Sequence, residues 1–277
     1  MESEGVFEME LIKKVKSEIT KINWFDDRFY KLEIKGEVKY FPSVTTILNV
    51  TNKPILNRWR GDVGNDVADE RMNKGANRGS RIHLACANFC KGYEIYFDPS
   101  LTDLKGYTEG MSIPNQDEML QVYKFSKWME LINPEVLEIE KIIYNEKYEY
   151  AGTLDYLIEI KKNGEYEVCG AKKLKLKKGF YVVDLKSGKN IDDDHYLQVS
   201  AYAKALKIKG LMGALIIHTN ASTKSGIEGL QTYYRTNLEL KNDFKNFLNA
   251  HELWKRKFAS MKPKQIEVPT KIKWSKK

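Results

Sequence analysis

Cysteine is scarce in this chain, and its few cysteines lack the spacing of a metal site or of a disulfide framework. Only Cys86, Cys90 and Cys169 occur among 277 residues, and no C-x-x-C pair is present. An odd number of cysteines without such pairs argues against structural zinc and against a small disulfide-rich fold. We therefore expect Cys86 and Cys90, four positions apart in a predicted helix, to be buried free thiols.

Long apolar runs, targeting signals, internal repeats and low-complexity linkers are also missing. No stretch reaches the ~20 apolar residues of a membrane span. The first residues, MESEGVFEMELIKK, are too acidic for a mitochondrial transit peptide and lack the apolar core of a secretory signal. We therefore expect a cytoplasmic protein that forms one domain and has no membrane partner.

Basic charge, in contrast, is plentiful. The chain has 46 Lys and Arg against 38 Asp and Glu, which gives a formal net charge of +8. This balance favours polyanionic partners, although it carries no information about the fold.

Hydrophobic periodicity predicts mainly helices in the N-terminal half. A hairpin over residues 28–41 turns near Lys35–Gly36, and helical patterns follow at 54–92 and 116–132. We expect Gly75 and Gly79 to interrupt the first helical region, so that an apolar helix starts close to Gly79. In the second region Tyr123 is one of the expected core residues.

The pattern changes to strands after Pro134. The predicted strands cover 135–144, 150–160, 165–170, 180–186, 211–219 and 230–237, with a helix at 193–208 and a closing helix at 238–260. The fold class is therefore α/β or α+β, with a central mixed β-sheet flanked by helices. One domain, 1–277, would contain a helical elaboration over about 42–133, a sheet core over about 134–260 and a basic tail over 261–277.

Two of these apolar strands carry an aspartate. In YVVDLKSGK the alternation of a strand places Asp184 and Lys186 on one face, about 6–7 Å apart. Taken alone, this is the pattern of a turn-forming aspartate and a solvated lysine. Asp155, in AGTLDYLIEI, adds a second carboxylate to the predicted sheet, and two such groups at one edge repel each other unless a cation lies between them. A hard divalent ion such as Mg²⁺ suits oxygen ligands of this kind.

Five short motifs in a fixed order extend this observation. RGSRIH, EIEK, AGTLDY, VVDLKSGK and LQVSAYA resemble the G-x-x-x-H, glutamate-strand, G-T-hydrophobic-D, D-x-K and Q-x-x-x-Y motifs of the PD-(D/E)XK nuclease superfamily. The resemblance is greatest to its RecB-like exonuclease branch, which includes phage exonucleases and the mitochondrial genome maintenance exonuclease. It covers most of residues 41–205 and implies a restriction-endonuclease-like core.

The resemblance also implies the residues that bind metal. Asp155 and Asp184 would be ligands, together with the backbone carbonyl of Leu185 and the imidazole of His83. A lone histidine on a helix is otherwise a structural residue more often than a ligand. The implied cofactor is Mg²⁺, with Mn²⁺ able to substitute, and no iron–sulfur cluster is expected because relatives that carry one use four cysteines.

Other residues acquire catalytic or orienting roles by the same resemblance. The catalytic set would be Asp155, Asp184, Lys186 and Glu140, although Glu138 is predicted on the same strand face as Glu140 and fits the glutamate position too. Lys186 would orient the attacking water and stabilise charge on the phosphate. Residues Gln198 and Tyr202 are one helical turn apart and would orient DNA or Lys186.

Basic residues outside these motifs are candidates for DNA contact. Arg78 and Arg81 flank the G-x-x-x-H element, and Lys172, Lys173 and Lys175 belong to the run KKLKLKK between two predicted strands of the sheet. The alternative for that run is a solvated hairpin tip. The tail, MKPKQIEVPTKIKWSKK, leaves two roles open for Trp274: stacking on a base or anchoring the tail to the core.

The sequence thus predicts a Mg²⁺-dependent DNA exonuclease, acting on single-stranded DNA or on a DNA end in recombination, repair or genome processing. Its setting would be the host cytoplasm if the gene belongs to a phage. An endonuclease with the same core and a non-catalytic nucleic-acid-binding module are the alternatives. Because inactive relatives usually lose the lysine or an aspartate, the presence of Asp155, Asp184 and Lys186 favours an enzyme.

Overall fold

The computed structural model describes residues 19–264, apart from Asp26, Asn52, 102–110, Gly170, Ala171 and Ser225. The side chains of Cys169 and Lys172 are not described either. The acidic N-terminal segment lies outside the described residues, as does the tail from residue 265 with Trp274. Within the described part of the chain, no helix has the length and apolarity needed to cross a membrane.

A three-stranded antiparallel sheet precedes the helices. It consists of β1 (Thr20–Trp24), β2 (Asp27–Ile34) and β3 (Glu37–Pro42). The predicted turn is confirmed at Lys35 and Gly36, whose φ angles of 55° and 82° are left-handed. Alternation along β2 buries Tyr30 and Leu32 on one face, where they pack with Ala151 of the central sheet. The first strand was not predicted.

One helix of the helical elaboration is longer than predicted. The elements of this region are α1 (Val44–Leu48), α2 (Pro54–Val63), α3 (Asn65–Cys90), the short strands β4 (Tyr96–Phe97) and β5 (Ser112–Ile113), and α4 (Gln116–Ile132). Helix α3 continues through Gly75 and Gly79 instead of starting near Gly79. A helical glycine costs only about 1 kcal/mol, and burial of Ile82 and Cys86 in the same helix outweighs that cost.

Helix α4 has the predicted bounds but differs in one core residue. Tyr123 is 53% exposed, whereas Val122, Phe125 and Trp128 are buried. The buried residues recur every three positions along one stripe, and Tyr123 lies one position outside that stripe. The side-chain oxygen of Asn115 accepts the N–H groups of Asp117 and Glu118 and caps the helix start.

The central sheet is mixed and has five strands in the order β12-β11-β10-β7-β6. Strands β10 and β11 are parallel, and the other neighbours are antiparallel. The predicted fold class, a central mixed sheet flanked by helices, is therefore confirmed. The elements after α4 are β6 (Glu135–Asn145), β7 (Tyr150–Ile160), β8 (Gly164–Cys169), β9 (Lys172–Leu176), β10 (Gly179–Lys186), α5 (Asp193–Leu206), β11 (Leu211–His218), β12 (Gln231–Thr236) and α6 (Asn237–Phe258).

The third predicted strand does not belong to this sheet. Among the described residues, strand β8 pairs with β9 alone, and the two form a separate antiparallel hairpin. Most of the lysine run is therefore strand β9, not a hairpin tip. Burial of Leu174 and Leu176 on one face of β9 explains why the run is extended, while Lys173 and Lys175 face outward.

Helices cover both faces of the central sheet. On one face α1, α5 and α6 pack against a cluster that includes Val182 and Ile216. On the other face α4 and the C-terminal part of α3 pack against Val183 and Ile217. Because side chains alternate along β10, Asp184 and Lys186 leave the sheet on the same face as Val182, under α5.

Cysteine and histidine side chains also lie in these cores. Cys86 and Cys90 of α3 are free thiols, as expected; Cys86 is buried and Cys90 is half-buried, and burial raises the pKa of Cys90 to about 12. His251 of α6 is buried against the rings of Phe247 and Trp254, and neither of its ring nitrogens has a hydrogen-bond partner among the described residues. Burial, reinforced by the nearby charge of Lys255, lowers the pKa of His251 to about 4.

Candidate active site

A cleft of about 460 Å³ lies where β6, β7 and β10 meet. Asp155, Asp184 and Lys186 line it from the central sheet, and Gln198 and Tyr202 line it from α5. Helix α3 and the three-stranded sheet form its other walls. The cleft therefore gathers side chains that are far apart in the sequence.

Three of the predicted residues converge closely in this cleft. His83 of α3, Glu140 of β6 and Asp155 of β7 each offer a ligand atom, and these atoms all lie within 4.8 Å of one another. The Nδ1 atom of His83 is 3.5 Å from Oδ2 of Asp155. An imidazole and two carboxylates at such distances can hold a divalent cation.

The backbone of β6 decides between the two candidate glutamates. Glu140 lies between the paired positions Ile139 and Lys141, level with Asp155 on β7. Its φ angle is 49°, a left-handed conformation that costs a non-glycine residue about 1–2 kcal/mol. Glu138 instead pairs with Lys141. The left-handed turn interrupts the strand alternation, so Glu140 and not Glu138 joins the cluster.

Asp155 connects β7 to β10 through its side chain. The ladder between these strands ends at Val183 and Tyr156, and beyond it the N–H of Leu185 donates to Oδ2 of Asp155 at 2.7 Å. The carbonyl of Lys186 accepts from Thr219 on the opposite side of β10. Because adjacent residues of a strand point their backbone groups to opposite sides, the carbonyl of Leu185 points toward β7, as its predicted role requires.

A chain of hydrogen bonds holds the predicted lysine. The Nζ atom of Lys186 donates to Oε1 of Gln198 at 3.0 Å, and Nε2 of Gln198 donates to the Tyr202 hydroxyl at 2.8 Å and to Oδ1 of Asp184 at 3.3 Å. Lys186 Nζ is also 2.9 Å from Oδ2 of Asp184, near enough for an ion pair but not aligned for a hydrogen bond. Gln198 and Tyr202 therefore position Lys186, one of the two roles predicted for them.

The glycines of two motifs allow close packing around these residues. A Cβ atom at Gly152, in the G-T-hydrophobic-D motif, would lie 2.5 Å from Cε1 of Tyr202. At Gly79 a Cβ atom would lie 3.4 Å from Oγ of Ser187, in the segment after β10. Only Gly152 is sterically required, because it makes room for the tyrosine of the Q-x-x-x-Y motif.

The carboxylates of the cleft raise one another's cost of ionisation. Burial raises the pKa of Asp184 to about 6 despite the neighbouring Lys186. Burial and the charge of Asp155 also raise the pKa of Glu140. Burial alone would raise the pKa of Asp155 and lower that of His83, but their mutual attraction outweighs it and shifts both in the opposite direction. The charge of Asp155 therefore raises the pKa of both neighbouring carboxyl groups, a repulsion that a bound cation would relieve.

The predicted DNA-contacting residues do not all reach the cleft. Arg81 forms an ion pair with Glu118 of α4, whose side chain is 2% exposed, and so joins two helices. Arg78 is half-buried on α3 and does not line the cleft.

The lysines of β9 are also distant from the cleft. Lys173 and Lys175 pair with Glu167 and Glu165 on β8. The hairpin joins the first residue of β10, whereas Asp184 lies near its end, and the eight residues of β10 span about 23 Å. The side chain of Lys172 lies outside the described residues. DNA contact by this run stays a prediction, separate from the cleft.

Two basic residues of the cleft were missed in the sequence. Lys21 of β1 and Arg28 of β2 line the wall formed by the three-stranded sheet. A basic residue in a hairpin is too common to be singled out. The pairing of this hairpin's Tyr30 with Thr153 of β7, which directs the wall toward Asp155, is a tertiary contact without a sequence signal.

Comparison with models of known protein families and with curated proteins found no match.

Proposed function

We propose that this protein is a metal-dependent nuclease that hydrolyses DNA phosphodiester bonds. The observation that carries the proposal is the convergence of His83, Glu140 and Asp155 beside the Asp184–Lys186 pair, in a cleft open to solvent. A core ion pair needs none of the additional carboxylates, whereas a site for a cation and a phosphate uses all of these groups.

The donor set fits a hard divalent cation. Glu140, Asp155 and Asp184 line the cleft, and the Lys186 ammonium, 2.9 Å from Oδ2 of Asp184, pairs with one of these three carboxylates. Buried carboxylates this close to one another are costly unless they share a further cation. We assign Asp155, Asp184 and the Leu185 carbonyl as ligands of Mg²⁺, with His83 and Glu140 completing the set and Mn²⁺ able to substitute. When bound, the cation would favour deprotonation of water and stabilise charge on the phosphate.

The chain's own groups supply orientation and charge. Gln198 and Asp184 hold the ammonium group of Lys186 at the cleft, where it can stabilise the negative charge that develops on an attacked phosphate. Tyr202 in turn fixes Gln198. A pre-oriented lysine does not need to reorganise during the reaction. Such positioning is a main contribution that a protein makes to phosphoryl transfer.

We propose an exonuclease rather than an endonuclease because α3 and the three-stranded sheet bound the cleft on two sides. A strand that must enter between two walls does so most easily by its end. The substrate would then be single-stranded DNA or a DNA end. An endonuclease would cut a circular single strand as fast as a linear one of equal length, which makes this comparison the test.

The main test combines end-labelled single- and double-stranded DNA with Mg²⁺, Mn²⁺ or a chelator. We expect cleavage with either metal and none with the chelator. D184A and K186A should both abolish cleavage, but calorimetry should show a decrease in Mg²⁺ affinity only in D184A, which removes a ligand. Equal decreases in affinity would contradict these roles. DNA binding without hydrolysis under every condition would favour the non-catalytic module.

A further inference from the structure

Lys21 and Arg28 form a small basic surface in one wall of the cleft. In the β1–β2 ladder Lys21 pairs with Tyr30 and Arg28 pairs with Asn23, so the side chains of Lys21 and Arg28 occupy diagonal positions on the same face. Tyr30 belongs to that face, and its hydroxyl is 2.8 Å from Oγ1 of Thr153. This face therefore contacts β7 at Thr153, two residues before Asp155.

No acidic side chain of the described residues forms an ion pair with either cation. Two like charges at neighbouring positions of a sheet destabilise it, and acidic partners normally relieve the repulsion. Burial and the charge of Arg28 lower the pKa of Lys21, and Glu140 opposes this only in part. Among the described residues, this pair of positive charges thus has no ion-pair partner, although the charge of Glu140 acts on Lys21.

The backbone at Arg28 is fixed by two hydrogen bonds to Thr46 of α1. The backbone N–H of Arg28 donates to Oγ1 of Thr46 at 2.9 Å, and that hydroxyl donates to the carbonyl of Arg28 at 3.0 Å. The Tyr30–Thr153 bond connects the same wall to β7. A fixed backbone at Arg28 reduces the conformational entropy that this residue loses when it binds an anion.

We propose that Lys21 and Arg28 form a phosphate-binding subsite for the DNA backbone, which holds a phosphate next to the one that is cleaved. The inference rests on the proposed nuclease function and assigns it residues for substrate binding. Lysine supplies a point charge, and the fork of arginine can bind two phosphate oxygens at once. The subsite lies beside Glu140 and not within the lysine run of β9. The DNA backbone would therefore be bound by the wall of the cleft.

Binding of a labelled single-stranded oligonucleotide, followed by fluorescence anisotropy in chelator over a range of salt concentrations, tests the subsite apart from hydrolysis. K21Q/R28Q should lower affinity on the order of tenfold and reduce the log–log salt slope by about 0.7, the contribution of the one phosphate that is no longer neutralised. The matched control is K31Q/K35Q, which removes two exposed lysines of the same three-stranded sheet outside the cleft. The control should bind like wild type.

Three results would overturn the subsite: an unchanged slope in K21Q/R28Q, an equal decrease in the control, or a wild-type protein without affinity for the oligonucleotide. Thermal melts should show K21Q/R28Q folded, because the change removes repulsion. If the double variant does not fold, K21Q and R28Q are measured singly, each with an expected decrease in affinity and a decrease in slope of up to about 0.7. Cleavage is scored separately, so failure of the subsite with retained cleavage leaves the nuclease proposal intact.

Discussion

Replacement of Gly152 by alanine tests how two motifs of the site fit together. The new Cβ would lie 2.5 Å from Cε1, 3.3 Å from Cδ1 and 3.4 Å from Cζ of Tyr202. The tyrosine ring is 4% exposed, and its hydroxyl accepts from Gln198, so it cannot move aside freely. Overpacking of this kind costs about 1–3 kcal/mol, and we expect that decrease in the free energy of unfolding.

A double-mutant cycle measured by urea unfolding isolates the contact. Y202L removes Cε1 and Cζ, so G152A should cost at least about 1 kcal/mol less in the Y202L background than in wild type. The control is G75A, because nothing lies within 4 Å of a Cβ at that exposed helical position. Alanine there should stabilise by up to about 1 kcal/mol. Additive effects of G152A and Y202L would refute the steric explanation.

Three further predictions concern other parts of the molecule. His83→Asn should greatly reduce Mg²⁺ affinity and cleavage while changing the metal-free melting temperature by no more than about 2–4 °C; near-normal cleavage would exclude the ligand role. Arg81→Ala should cost about 3–5 kcal/mol in urea unfolding because it leaves buried Glu118 unpaired, and a cost below about 1 kcal/mol would contradict this. The pKa of His251 is about 4 in the folded protein, below its ordinary value of 6.5. Between these pH values the unfolded chain binds more protons than the folded one. The free energy of unfolding is therefore complete above pH 6.5 and falls as the pH decreases toward 4. His251→Phe should flatten this dependence by up to about 3 kcal/mol between urea unfolding at pH 4 and pH 7.5, and an identical slope would refute it.

Periodicity in the sequence predicted the elements better than their partners. The bounds of α4 match, and the closing helix predicted at 238–260 forms at Asn237–Phe258, because a run of regularly spaced apolar residues is a local property. Strand β8 was recognised as a strand but assigned to the wrong sheet. Alternation identifies a pleated segment, whereas its hydrogen-bonding partner depends on how the whole chain folds.

In the candidate site, too, residues with a local sequence signal were predicted and residues that depend on tertiary contacts were not. Glu140, Asp155 and Asp184 were found because each belongs to a motif, and the structure brings their side chains to one cleft. Lys21 and Arg28 were not found, because their relevance depends on where the three-stranded sheet docks. Conversely, the high charge density of KKLKLKK predicted DNA contact for lysines that lie at the end of β10 opposite to Asp184.

Glu140 places local stability and the proposed activity in opposition. At a φ angle of 49° glycine is the residue that a designer optimising the fold would choose, and asparagine the next. E140G would therefore be expected to raise the stability of the metal-free protein while removing a carboxylate from the cleft. Any procedure that selects variants of this chain for thermal tolerance alone would tend to discard that carboxylate. A stabilised variant should be screened at position 140 before it is used for functional work.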